Sequence, residues 1–179
     1  QQFQQTAPNL VWVSDVTYIR VAKDFYSICV IIDLFSRKVL AYEIAQNNTS
    51  ELIMTTFLKA FELREHPDGL LFHSDQGVQY TSYKFRTFLR RLGVKQSFSY
   101  PGMPYDNAVA ESFFSSMKVE ELSHHFYEEP EKLFQDVAEY VDFFNSKRIH
   151  QKLGYKTPDQ IEEMYRNGEL DHSTSETED

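Results

Sequence analysis

The chain has 179 residues, 41% hydrophobic and 15% aromatic, with one cysteine and a formal charge of −9. That length fits one domain with one sizeable core, and so many apolar and aromatic side chains exclude a chain too polar to fold. A disulfide scaffold is excluded by the lone Cys29, and no run of about 18 apolar residues offers a membrane span.

After a polar lead, LVWVSDVTYIR and FYSICVIIDLF are rich in Val, Ile, Phe and Tyr and predict two strands joined by a tight turn at VAKD. RKVLAYEIA predicts a third strand after the turn residues Asp33 and Ser36, so an antiparallel meander is expected. Leu52, Ile53, Phe57, Ala60 and Phe61 then recur at helical spacing behind the cap candidates Thr49 and Ser50, and HPDG ends that helix. GLLFHSD predicts a short strand, TSYKFRTFLRRLG an amphipathic helix stopped at Gly93, and VKQSFS another strand. A loop at Pro101, Gly102 and Pro104 leads into a helix at DNAVAESFFSSMKVE, and EPEKLFQDVAEYVDFFNSKRIH predicts one more.

The order βββαβαβαα predicts a mixed α/β sheet, with no internal repeat or linker. Residues 1–8 are expected to be a polar lead, 9–162 the folded core and 163–179 a disordered acidic tail. No basic and apolar leader precedes the core, and the buried setting of Cys29 fits a reducing cytoplasm. A first residue of Gln rather than Met points to a piece of a longer protein.

The acidity is unevenly spread. From Asp159 onward there are eight acids and one base, Arg166, which leaves 17 bases against 19 acids before it. The body of the chain is therefore nearly neutral, and net charge is a weak argument against a nucleic-acid partner.

Asp15 in VWVSDVTYI, Asp75 in LLFHSDQGVQY and Glu111 in DNAVAESFF stand where chemistry could place them. Gathered in a pocket, three carboxylates would repel one another unless a divalent cation compensated, and an all-oxygen donor set suits magnesium or manganese. Two such ions support in-line displacement at phosphorus. Each acid also has a local structural reading: strand-edge blunting for Asp15, an Asx turn before Gly77 for Asp75, and helix-dipole pairing for Glu111. Capping does not account for Glu111. With Asn107 as N-cap, the capping-box position falls at Ala110. Glu111 lies beside the stripe of Ala110, Phe113, Phe114 and Met117, with Lys118 nearby as a candidate phosphate contact.

These motifs resemble the ribonuclease H-like catalytic core of DDE transposases and retroviral-type integrases, in particular bacterial insertion-sequence transposases. The family pattern W-x-x-D-[IV]-T-Y-I matches Trp12 to Ile19, H-S-D-x-G-x-Q-Y matches His73 to Tyr80, and D-N-A-x-x-E-S-F-F-x-x-[LM]-K-x-E matches Asp106 to Glu120. Between Asp75 and Glu111 lie 35 residues, the interval that names the group. FFNSKRIHQKLGYKTP is similar to the closing signature, with Phe144 where the family often has Tyr and with Asn145, Arg148 and His150 aligned.

The resemblance implies a five-stranded ribonuclease H-like sheet flanked by helices, with Asp15, Asp75 and Glu111 as catalytic ligands of two magnesium or manganese ions. It implies transposon-end and target DNA as partners, a homo-oligomer assembled on DNA, no membrane, and a cytoplasmic, nucleoid-associated enzyme. The family's upstream helix-turn-helix region is absent from the sequence. Lys118 and Arg148 are the expected DNA contacts, although Arg148 could instead pair with an acid. His73 is expected to orient its loop, and His150 to anchor the closing segment. His124 and His125 point apart on a helix and make a poor metal pair, and Asp33 reads as a hairpin residue rather than a fourth ligand. A ribonuclease H-type nuclease and a non-catalytic DNA-binding or assembly module are the rival readings.

Overall fold

The computed structural model describes residues 5–99 and 108–170. Strands β1 (Val11–Val21), β2 (Asp24–Asp33) and β3 (Val39–Ala45) form the expected antiparallel meander. Ala22 takes a left-handed conformation in the two-residue turn between β1 and β2. Strands β4 (Leu71–Ser74) and β5 (Lys95–Phe98) add on the other side of β1, both in parallel register, giving the sheet order β3-β2-β1-β4-β5. The sheet is mixed and five-stranded, as the resemblance implies.

Both faces of the sheet are covered, because β2 carries apolar residues at successive positions rather than alternate ones. Ile28, Val30 and Ile32 face one core with Val13, Phe113, Met117, Val137 and Phe144. Cys29 and Ile31 face the other with Trp12, Phe57, Phe72, Phe85 and Leu89. Helices α1 (Ser50–Leu63), the single turn α2 (Val78–Thr81) and α3 (Tyr83–Arg91) cover the second face. Helices α4 (Ala108–Glu120) and α5 (Pro130–Ser146) cover the first.

Thr49 caps α1, its hydroxyl accepting from the Leu52 N–H, and α3 stops at Gly93, whose φ of +73° needs no Cβ clearance. Asp33 is fully buried and is a turn residue: its carboxylate accepts the Asn9 and Phe35 N–H groups at 2.8 and 2.9 Å. Asn145 uses its whole amide on Val39, accepting from the backbone N–H and donating to the carbonyl, each at 2.9 Å, which pins the end of α5 to the edge strand β3.

Helix α6 (Pro158–Arg166) was not foreseen and runs four residues past the boundary drawn after residue 162. It opens on a complete capping box between Thr157 and Gln160. Buried Glu162 ties it to the body through Arg64 and, at 2.8 Å, the Ser36 hydroxyl. The expected disorder of residues 171–179 lies outside the described residues. Among those described, no helix is long and apolar enough to cross a membrane.

Candidate active site

The parallel register between β1 and β4 sets Val11 beside Leu71, Trp12 beside Phe72 and Val13 beside His73. Continued by two residues, that register carries Asp15 on β1 toward Asp75, one residue past the end of β4. Side-chain alternation puts Asp15 on the same face as Val13, the face beneath α4, while Trp12 and Ser14 point to the opposite core. Glu111 comes from the first turn of α4, which is held on that face by buried Ala110, Phe113, Phe114 and Met117.

The electrostatics of Asp15 reflect these neighbours. The half-buried Asp15 carboxyl is pushed up to about 6, first by burial and then by the negative charges of Asp75 and Glu111. The Val16 backbone N–H and the Lys118 ammonium pull the other way. Asp15 therefore feels the charges of both other acids and of Lys118, the three carboxylates coming from strand β1, the loop after β4 and helix α4.

The loop carrying Asp75 is fastened at several points. Its Oδ1 accepts the Gly77 N–H at 2.9 Å, so the Asx turn read as the structural alternative is present as well. A Cβ at position 77 would stand 3.0 Å from that same oxygen, which explains glycine there. His73 is clamped between the hydroxyls of Ser97, at 3.1 Å from Nδ1, and Ser99, at 3.0 Å from Nε2. Gln76 reaches the Ser99 carbonyl at 3.0 Å. His73 and Gln76 thus lock the loop to the end of β5. On the other side of β1, Ser14 shares a 2.8 Å hydrogen bond with the buried Tyr80 hydroxyl and lies 3.7 Å from the Cys29 thiol. This buried layer behind Asp15 was not foreseen, because it depends on long-range pairings.

The other expected residues lie elsewhere or are otherwise engaged. Arg148 is not beside the acids: its guanidinium grips the Glu120 carboxylate at the far end of α4, at 2.6 to 3.1 Å, and sits over the Phe144 ring. Of its two readings, pairing with an acid is the one realised in the fold. His150 stacks edge-on against Phe144, with ring centroids 4.5 Å apart, and receives Arg148 at Nδ1. Asn107 lies outside the described residues. His125 pairs with Glu121 at 3.0 Å, and these two with Asp136 bring one ligand atom each within 4.8 Å of the others. Asp136 is already bound by Lys132 and, at 3.0 Å, the Tyr127 hydroxyl.

Comparison with known proteins agrees with this geometry. Two family profiles, both described as integrase core domain, match residues 5–104 and 92–158. The chain is similar to the transposase for insertion sequence element IS904 of Lactococcus lactis, 39% identical over 90% of this chain and 64% of that protein. It is also similar to transposase InsF for insertion sequence IS3A of Escherichia coli K12, 33% identical over 90% of this chain and 57% of that protein. It spans less than two thirds of the length of these relatives.

Among solved structures, a chain of the simian T-cell lymphotropic virus intasome in complex with PP2A regulatory subunit B56 gamma superposes with a TM-score of 0.79 at 20% identity, over 98% of this chain and 62% of its own. The HTLV-2 integrase catalytic core domain, solved in complex with magnesium, gives 0.68 at 23% identity, over 88% of this chain and 98% of its own. The fold is ribonuclease H-like, and the chain belongs to the integrase core domain family.

Proposed function

We propose that this chain is the catalytic core of an insertion-sequence transposase, a polynucleotidyl transferase that cleaves transposon-end DNA and joins the freed 3′-hydroxyl to a target phosphodiester. The observation that supports the reading is the parallel register of β1 and β4, which carries Asp75 toward Asp15, with the Asp15 carboxyl pushed up to about 6 by burial and by the charges of Asp75 and Glu111.

The donor set fits a hard divalent cation. It offers carboxylate oxygens and no thiol, and both ring nitrogens of the adjacent His73 are committed to Ser97 and Ser99. Two magnesium or manganese ions bound there would activate the attacking oxygen and stabilise the leaving one.

The chain's own contributions are positional. Asp15 is fixed by the central strand, Asp75 by its turn with Gly77, and Glu111 by the buried face of α4. Lys118, close enough to Asp15 to oppose its protonation, holds a backbone phosphate oxygen of the DNA against the acids. A water or DNA hydroxyl is the nucleophile, so no serine or tyrosine ester forms. Assembly into a homo-oligomer on the two element ends belongs to the same reading.

Glu111→Gln should abolish metal-dependent nicking and joining of end-containing DNA while leaving the circular dichroism spectrum and melting temperature intact. An active Gln variant would overturn the assignment. In the same preparation Lys118→Ala should weaken DNA binding and flatten its salt dependence. An unchanged slope removes Lys118 from the site.

A further inference from the structure

On the other flank of α4 lies a cavity of about 780 Å³, between that helix, the turn before β3 and the segment after α5. Ala108 and Ser112, on the same helical turn as Glu111, form part of its wall, so the cavity adjoins the carboxylate site. Phe113, Phe144, Ile149 and Tyr155 supply apolar surface, and Ile149 and Tyr155 are exposed.

Its permanently charged groups, Arg37, Arg148 and Lys152, are donors only. Arg37 is half-buried, and its guanidinium makes no hydrogen bond or ion pair among the described residues. Burial lowers its pKa, the mark of a charge that has lost water without gaining a counter-ion. Arg37 is held in this position by a left-handed backbone, with φ +63°, and by its N–H donating to the Asp33 carbonyl at 2.9 Å. It lies close enough to His150 for the imidazole to feel its charge.

Arg148 can only donate, so His150 Nδ1, 3.3 Å away, accepts, and the neutral ring carries its proton on Nε2. Nε2 is buried and meets no hydrogen-bond partner among the described residues, while the Phe144 backbone favours the protonated ring against the burial that lowers its pKa. Lys152 and the side chains of Ser112 and Ser116 add further polar groups to the lining. The Arg148 charge is paired with Glu120, whereas Arg37 and Lys152 have no ion pair among the described residues.

We propose that this cavity is a second DNA site, in which Arg37 and Lys152 bind a backbone phosphate and Ile149 and Tyr155 receive the attached sugar and base of an unpaired nucleotide. A basic groove with an aromatic platform is the usual receptor for a single strand. The site rests on the proposed action on DNA, and it takes a strand leaving the duplex beside Glu111.

The test is fluorescence anisotropy of the 179-residue chain with a labelled duplex carrying a single-stranded overhang, titrated across salt concentrations. Arg37→Ala should weaken binding about tenfold and lower the salt slope by about one, with Arg37→Lys restoring the slope. Lys152→Ala, at an exposed position, should act in the same direction, and Tyr155→Ala should weaken overhang DNA but not blunt duplex. Wild-type affinity and slope in both Arg37→Ala and Lys152→Ala would overturn the site. So would competition by poly-glutamate at concentrations where an unlabelled single strand fails, since the cavity would then take an acidic peptide. Loss of binding in these variants alongside an active Glu111→Gln chain would keep the cavity and reject the triad. An inactive Glu111→Gln chain with wild-type binding by both cavity variants would do the reverse.

Discussion

At Asp15 the protein maintains an unfavourable carboxylate. Its pKa is raised from 3.8 to about 6. Between those values the unfolded carboxyl has lost its proton while the folded one keeps it. Folding therefore takes up a proton, and stability falls as pH rises across that window. Asp33, also pushed up to about 6 by burial, shares the window and reinforces the trend. Asp15→Asn should stabilise the metal-free chain at neutral pH by roughly 1–2 kcal/mol and remove its own share of the pH slope, leaving that of Asp33. Magnesium should raise the melting temperature of the wild type, because a cation compensates the three acids, and should do little for the Asn variant. Differential scanning calorimetry with and without magnesium checks both. A destabilised Asn variant that still responds to magnesium contradicts the assignment of Asp15.

At the scale of the element, α4 separates holding from acting. Phe113 is 1% exposed and meets Phe144 edge-on at 4.8 Å, as well as Phe114 and Tyr140, so it fixes the helix on the sheet. Phe113→Ala should cost about 3–5 kcal/mol in urea unfolding, whereas Glu111→Gln, on the exposed flank, should stay within about 0.5 kcal/mol. Comparable losses in the two would mean that Glu111 is structural. This division was legible in the sequence because α4 is a local pattern: an apolar stripe with one acid beside it. The meander was legible for the same reason, through its runs of Val, Ile and Tyr. Helix α6 was not. Few of its residues are apolar, and its acids read as tail, although Thr157, Pro158 and Gln160 spell a helix start. What holds Glu162 is Arg64 and Ser36, about a hundred residues away in the chain, and no local pattern encodes that. Arg148 was ambiguous for the same reason, since its partner Glu120 sits on another helix.

At the scale of the whole molecule, the proposed site depends on β4 returning parallel to β1 and carrying Asp75 toward Asp15, a pairing that strand order alone leaves open. The charge is arranged around that site. The cations at Lys118, Arg37 and Lys152 lie along α4 and its neighbours, while the chain beyond α6 is acidic. Residues 171–179 contain four acids and no Lys or Arg, so deleting them moves the formal charge from −9 to −5 and leaves α6 and its C-cap Asn167 in place. A negative segment raises the cost of bringing a polyanion to the surface, and it acts through a field that salt screens within about 10 Å at 0.1 M. The truncated chain should therefore associate with DNA several-fold faster at low salt, and the difference should vanish as ionic strength approaches about 1 M, where screening acts within about 3 Å. Stopped-flow association rates across a salt series measure this directly. A gain that persists at high salt would contradict a long-range field and mean that residues 171–179 compete with DNA by direct contact.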